Sequence, residues 1–322
     1  MALIKKPMKA PNEIFPFDYS VIKYSDGQMA SMKMDGERML NLCGEHLLTP
    51  ALKPVRNQNT YAYAKDFFDY CKSQRYVTDS EIWSPIRSFH MPVKEEGIGS
   101  ILAAHTRPIP SDFAIYVFDM LTEKEWNAGT EPFYLERYMR YQQELQGFPN
   151  IILVPQLLVH SPKEAHDLYD MYIERGEEGL ILRSSMARYK HGRCTENEDG
   201  MFKFKDFHTA DAVIVRLEEQ MRLKEGVERT RNAVGELERR YEQDLYEPAG
   251  MVGAFIVEQD GVQFKVKPGK GHNHALKTQW WNDYCKYPEK WNGKHCEFKF
   301  MPHGTLDKPR IGQLVGFRPD LD

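Results

Sequence analysis

Apolar positions along the chain recur with two periods, and the alternation between them marks its organisation. "FAIYVFDML" (113–121) is an apolar run of the length of a buried strand, and "EGLILRS" (178–184) is a shorter one. Helical spacing of aromatic and apolar residues runs through "YAYAKDFFDYCKSQ" (61–74) and "PFYLERYMRYQQELQGF" (132–148). "SPKEAHDLYDMYIERG" (161–176) predicts another helix, because Ser161 and Glu164 have capping-box spacing and Gly176 can end it. Before it, "IILVPQLLV" (151–159) reads as a strand whose proline marks an edge or an end. Up to about residue 207 this mixture predicts an α+β domain.

The texture changes after "KFKDFHTADA". "DAVIVRLEE" (211–219) reads as a strand, and residues 217–247 are almost wholly charged and helical in composition. "GAFIVEQDGVQFKV" (253–266) is two alternating runs joined by Gln259, Asp260 and Gly261, a hairpin signal. "KHCEFKFMPHGTL" and "IGQLVGFR" supply further short strands. Short strands with one helical insertion predict a small β-barrel, and an OB-fold is the commonest such module on nucleic acid. The expected domains are therefore 1–207 and 208–322.

Composition narrows the function classes. A chain of 322 residues, 41% hydrophobic and 28% charged, has room for two cores, and no segment approaches the roughly 18 apolar residues of a membrane span. Cys43, Cys71, Cys194, Cys285 and Cys296 form no Cys-x-x-Cys pair, which argues against a disulfide framework or zinc ribbon and for a reducing, cytoplasmic setting. The net charge of −4 speaks mildly against nucleic acid. Local charge speaks for it: "RSSMARYKHGR", "KFKDFH" and "KVKPGKGHNHALK" are basic, and a polyanion in one cleft needs only local basicity.

The candidate chemistry begins at "SMKMDGERML" (31–40), where Lys33, Asp35, Gly36 and Arg38 crowd between apolar residues. Taken alone this is a strand ending in an Asp-Gly turn, with Lys33 solvated. It has company in chain order: "TDSEI" with Glu81, "YVFD" with Phe118, "EEGLILR" with Glu178, and "MFKFK" with Lys203 and Lys205. A lysine attacks phosphorus only as the neutral amine, a form that only about one in a thousand adopts near neutral pH, so a nucleophilic lysine needs cationic or desolvated surroundings. Lys203 and Lys205, alternating on a strand, place two ammonium groups on one face where a triphosphate could be neutralised. Their bland reading is a solvated strand edge, and that of Phe118 is core.

The ordered series resembles the covalent nucleotidyltransferases, and among them the compact, phage-like ATP-dependent DNA ligases. The resemblance implies a nucleotidyltransferase (ATP-grasp-like ligase) domain of antiparallel sheets with helices, followed by a small OB-fold β-barrel that binds DNA. It implies Lys33 as the nucleophile that forms lysyl-AMP from ATP, with Lys203 and Lys205 on the phosphates. Arg38 would grip the ribose or the nick phosphate, Glu81 the ribose hydroxyls, Phe118 the adenine, and Arg318 the leaving pyrophosphate. Asp35 and Glu178 would bind magnesium, or manganese in its place, and Gly36 would allow the turn. The substrate would be nicked duplex DNA, handled by a monomer with no obligatory protein partner and no further N-terminal domain. The location would be the cytoplasm, the host's if the protein is phage-encoded.

The chain departs from the family pattern at four places. Thr49 and Pro50 stand where a Ser-Arg pair is common, Ser80 replaces the glycine of the third motif, and "FRPDLD" gives Leu321 for a terminal lysine whose role would pass to Lys308 or Arg310. "KPGKGHNH" replaces a Gly-Phe pair after the hairpin at 251–267. Lys265, Lys267 and Lys270 have a solvated reading beside a DNA-binding one, and the charged 218–247 stretch reads as a solvent-exposed helix ahead of a DNA-touching insertion. The rival functions are an RNA ligase, an mRNA capping guanylyltransferase, and a non-catalytic DNA clamp.

Overall fold

A computed structural model describes residues 1–11, 19–129, 132–198, 200–228, 231, 242–269, 271–303, 307–319 and 321. The chain divides into two compact units, Met1–Lys205 and Asp206–Asp322. Among the described residues no helix is long and apolar enough to cross a membrane.

Among its described residues the first unit holds nine strands in two sheets. Strands β1 (Gln28–Met32), β2 (Glu37–Leu42), β3 (His46–Leu48), β4 (Tyr76–Trp83), β5 (Ala114–Thr122), β6 (Ile151–Leu153), β7 (Leu157–Val159), β8 (Gly179–Ser184) and β9 (Phe202–Lys205) are joined as β7-β1-β8-β9 and β3-β2-β4-β5-β6. All pairings are antiparallel except β5 with β6, which makes the second sheet mixed. Helices α1 (Asn59–Tyr63), α2 (Lys65–Gln74), α3 (Ile98–Ala103), α4 (Glu123–Ala128), α5 (Tyr134–Glu144) and α6 (Pro162–Glu174) cover these sheets. Phe67, Phe68 and Cys71 of α2, Ile98 and Leu102 of α3 and Tyr141 of α5 pack on one face of the mixed sheet. Leu40, Leu42, Val77 and Leu121 on its other face meet Met29 of β1 and Met8. The four-stranded sheet turns Ala30, Leu180, Leu182 and Phe204 toward Ala165 and Tyr169 of α6. Its opposite face is thereby left for Ser31, Ile181, Arg183, Lys203 and Lys205, since strand side chains alternate.

Two segments differ from what their sequence pattern predicts. The helix expected over 61–74 is broken at Ala64, whose φ of −134° and ψ of 42° are not helical. "IILVPQLLV" is not one strand: β6 joins the mixed sheet and β7 the other, with Pro155 in the crossing between them. A proline lacks the N–H that a continuous ladder would need at that point.

The second unit is a five-stranded antiparallel sheet, ordered β12-β11-β10-β13-β14, of β10 (His208–Leu223), β11 (Tyr246–Gln259), β12 (Val262–Val266), β13 (His295–Met301) and β14 (Arg310–Phe317). Phe255, Val257, Val266, Trp291, Cys296, Phe298 and Leu314 form its core. Asp260 and Gly261, both at positive φ, make the two-residue turn between β11 and β12. A closed barrel is not found among the described residues, and the end strands meet at one parallel bridge, Lys267 with Gln313.

The helix expected within 217–247 is overturned at both ends, where Leu223 pairs with Tyr246 and Arg222 with Glu247 as strand neighbours. The charges are satisfied across the ribbon: Arg222 bonds Glu247 at 2.9 Å, and Glu219 accepts from the Gly250 N–H at 2.7 Å. Cross-strand partners replace the i,i+4 partners a helix would have used. The rest of that stretch, 229–230 and 232–241, lies outside the described residues, as do Lys270 and Asp320. Among the described residues of this unit the α-helix is α7 (His274–Lys286), capped by Asn273, whose Oδ1 accepts from the Leu276 N–H at 2.9 Å. Trp280, Trp281 and Tyr284 of α7 pack on the sheet's core.

Candidate active site

Lys33 follows directly on β1, and its backbone N–H donates to Gly179 O at 2.8 Å. That bond brings the first turn of the motif beside the start of β8, where Glu178 precedes Gly179. The Lys33 ammonium donates to Glu178 Oε2, and Lys205 Nζ lies 2.8 Å from Glu178 Oε1. Glu178 is buried, so one carboxylate balances two ammonium groups in a site largely shielded from water. Gly179 cannot be replaced without moving this junction, because a Cβ there would sit 2.0 Å from Phe204 O of the neighbouring strand.

A cleft of about 320 Å³ opens beside this cluster. Lys33, Arg38, Glu81, Phe118 and Lys203 all line it, together with Met32, Met34, Val154, Ile181 and Met201. Phe118 reaches it through an irregularity in the sheet. Asp79 pairs with Asp119 and Ser80 with Val117, so Phe118 is the extra residue of a bulge, which re-aims its side chain out of the β5 alternation.

Arg38 is held rather than free. Its Nε and Nη2 donate to the two Asp79 oxygens at 2.8 and 2.6 Å, Nη2 also donates to Met8 O at 2.6 Å, and the guanidinium stands 5.2 Å from the Phe118 ring centroid. Burial favours its neutral form, but the Asp79 carboxylate beside it outweighs that and raises its pKa. Glu81 behaves in the opposite way. Burial pushes its carboxyl up to about 8, against the downward pull of Lys33 and Arg38.

The other expected residues lie elsewhere. Asp35 is buried and does not line the cleft; its Oδ2 accepts from the Phe89 N–H at 3.4 Å. Arg318 belongs to the second unit, where its Nη1 stands 3.2 Å from Asp211 Oδ1. Gly36 is needed for space rather than for a turn, since a Cβ there would lie 2.5 Å from Ile82 O. Ser80 is buried with its hydroxyl donating to Met39 O at 3.0 Å, so the departure from glycine is accommodated.

Several cleft residues were given no role by the motif series, although Arg183 closes the motif "EEGLILR". Lys9, Tyr134, Gln156, Arg183 and Arg193 also line the cleft. Arg183 pairs with the fully buried Asp119 at 2.6 Å and lies over the Tyr134 ring at 4.0 Å. Among the described residues no group of three His, Cys, Asp or Glu side chains is arranged to hold a metal.

Comparison with known proteins decides the family. The profile described as the ATP dependent DNA ligase domain matches residues 7–205, more than half of the chain. The chain belongs to the ATP-dependent DNA ligase family. Within it, the DNA ligase of Enterobacteria phage T4 is 29% identical over 79 residues, a stretch that spans 24% of this chain and only 15% of the phage protein's length. The fold of these ligases extends further than sequence identity does. A Lig E DNA ligase structure is similar over 98% of this chain and 100% of its own, with a TM-score of 0.66 at 20% identity. The Chlorella virus DNA ligase-adenylate is similar over 98% and 99%, with a TM-score of 0.50 at 20% identity.

Proposed function

We propose that the protein is an ATP-dependent DNA ligase that seals 5′-phosphate/3′-hydroxyl nicks through lysyl-AMP and adenylylated DNA. The observation that carries this reading is the Lys33–Glu178–Lys205 cluster beside a cleft lined by both apolar and basic side chains. Lys33 Nζ attacks the α-phosphorus of ATP, an N–P bond forms, and the bond to pyrophosphate breaks. The proton that Lys33 must shed has an acceptor already in contact, the Glu178 carboxylate. Lys203 and Lys205 offset charge on the phosphates in this low-dielectric site. A 5′-phosphate oxygen then displaces the lysine, and the 3′-hydroxyl displaces AMP. Phe118 and the methionines of the cleft suit a planar base, and Arg38, fixed by Asp79, suits a ribose hydroxyl.

Magnesium, or manganese, fits Glu178: such ions are held through one or two carboxylates plus substrate phosphates rather than by an all-protein cage. Bound there, the ion would supply positive charge to the phosphates. Asp35, assigned with it from the motif, is the less direct candidate, since it accepts from Phe89 instead. The second unit we read as an OB-fold that grips the duplex. Its strand order, the Lys267–Gln313 bridge between end strands and a helix between β12 and β13 support this.

The test is incubation with α-labelled ATP, or separately GTP, and magnesium, on protein first stripped of bound AMP with pyrophosphate. Label from ATP on the wild type, absent in Lys33→Ala and chased into a sealed strand by a nicked duplex, is the expected result. Label from GTP would point to a capping enzyme, and no label from either nucleotide would sink the enzyme reading.

A further inference from the structure

Helix α5 grips β5 at the residue that turns into the cleft. Phe118 is skipped by both neighbouring registers: β4 pairs Asp79 with Asp119 and Ser80 with Val117, and the pairing with β6 runs from Ile115 to Val117. The extra residue of a bulge is left without a ladder partner, so a buried carbonyl there must find donors elsewhere. Two tyrosines supply them. The Tyr134 hydroxyl donates to Phe118 O at 2.8 Å, and the Tyr141 hydroxyl donates to the same oxygen at 3.2 Å. Both side chains are buried. The next two residues are held by the same helix, the Asp119 carboxylate through Arg137 at 2.7 and 3.0 Å and Met120 O through Arg140 at 3.1 Å.

The spacing along α5 explains why the hydroxyls converge. Positions 134, 138 and 141 fall on one face of a helix, and Tyr138 Oη on that face accepts from the Gln156 N–H at 3.3 Å. Gln156 and Phe118 both line the cleft, so one row of hydroxyls is bonded to the backbone of two separate stretches of its lining. A single donor would satisfy the bulge carbonyl. Two donors placed seven residues apart also fix the tilt of its peptide plane, and with it the direction in which the Phe118 side chain leaves the backbone. Tyr141 does this from outside the group of described residues that line the cleft.

We propose that Tyr141, acting with Tyr134, is a positioning residue that holds the Phe118 ring at the angle at which it stacks on a nucleotide base. The inference rests on the ligase reading and adds to it the groups that aim the ring. Removing the hydroxyls leaves the apolar packing of α5 in place but frees the bulge to tilt, and base binding must then order the ring as well.

The experiment compares wild type, Tyr141→Phe and the double variant Tyr134→Phe/Tyr141→Phe, each with Phe118 present and in a Phe118→Ala background. Tyr70→Phe is the control, since it removes a hydroxyl that donates to Glu144 at the other end of α5. Calorimetric affinity for an ATP analogue with a methylene between the α and β phosphorus atoms is read beside the rate of labelling by ATP. Tyr141→Phe is expected to weaken analogue binding about threefold and the double variant about tenfold, with KM for labelling rising alike and the saturating rate nearly unchanged. In the Phe118→Ala background the same substitutions should cost less than about twofold, because the ring to be aimed is gone. Equal losses in both backgrounds, or a double variant that binds as well as Tyr70→Phe, overturn the proposal. A wild type that binds the analogue but takes no label from ATP defeats the ligase reading instead, and the affinities still decide what the tyrosines do.

Discussion

Glu81 stands between opposing influences, and the outcome is measurable. Burial raises its carboxyl to about 8, while Lys33 and Arg38 pull it down and Glu178 and Asp79 push it up. Since its pKa in the folded chain exceeds the value of about 4.5 it has when exposed, folding takes up a proton here. The stability this group contributes is full below about 4.5 and is lost as pH rises through about 8. The melting temperature of wild type minus that of Glu81→Gln should therefore fall steadily across that window and level off above it. A difference that does not change with pH would mean that Glu81 titrates as an ordinary surface carboxyl. Lys33, Arg38, Glu81, Phe118 and Lys203 were legible as a group because each sits in a short local motif, and the structure brings them to one cleft. Asp79, Tyr189 and Lys9 were not. Their roles arise from strand register and from a bridge that joins residues far apart in the chain, such as Lys9 and Arg193, which no local spacing encodes.

Among elements, β5, α5 and β8 are tied together by a buried ionic group rather than by apolar packing alone. Arg137 of α5 donates to both Asp119 oxygens at 2.7 and 3.0 Å, and Arg183 of β8 completes the triad at 2.6 Å. Burial works against the Asp119 carboxylate, yet the two guanidiniums hold it below the usual range. Arg137 and Asp119 are both fully buried, so removing one partner strands charge without solvent. Arg137→Met should cost about 3–5 kcal/mol of stability, read by urea denaturation. A loss under about 1 kcal/mol would mean that Arg183 alone suffices. The same reliance on partners explains which elements the sequence disclosed. Strands buried on both faces, such as β5 and β8, and the hairpin at Asp260–Gly261 carry their signal locally. The ends of β10 and β11 next to the charged stretch do not: their polar residues read as helix until Arg222 and Glu247 are seen to face each other across a ribbon. Helix α7 escaped for a related reason, since its aromatic face has meaning only against the sheet that Trp280 and Tyr284 cover.

At the scale of the whole chain, each unit has its own core, and none of the residues grouped around Phe255 belongs to the cores of the first unit. The described residues that line the cleft with Lys33 all belong to Met1–Lys205. Two consequences follow for calorimetry. Separate cores of this size predict two unfolding transitions rather than one. An ATP analogue with a methylene between the α and β phosphorus atoms cannot transfer AMP to Lys33, so it acts as a simple ligand of the folded cleft. At a hundred times its dissociation constant it should stabilise by about 2.7 kcal/mol whichever transition contains the cleft. That transition should rise by several degrees while the other stays in place, and Arg38→Ala, by loosening the nucleotide's grip, should reduce the rise at the same analogue concentration. Equal shifts in both transitions would show that nucleotide binding stabilises the second core as strongly as the first, contrary to a cleft lined by the first unit.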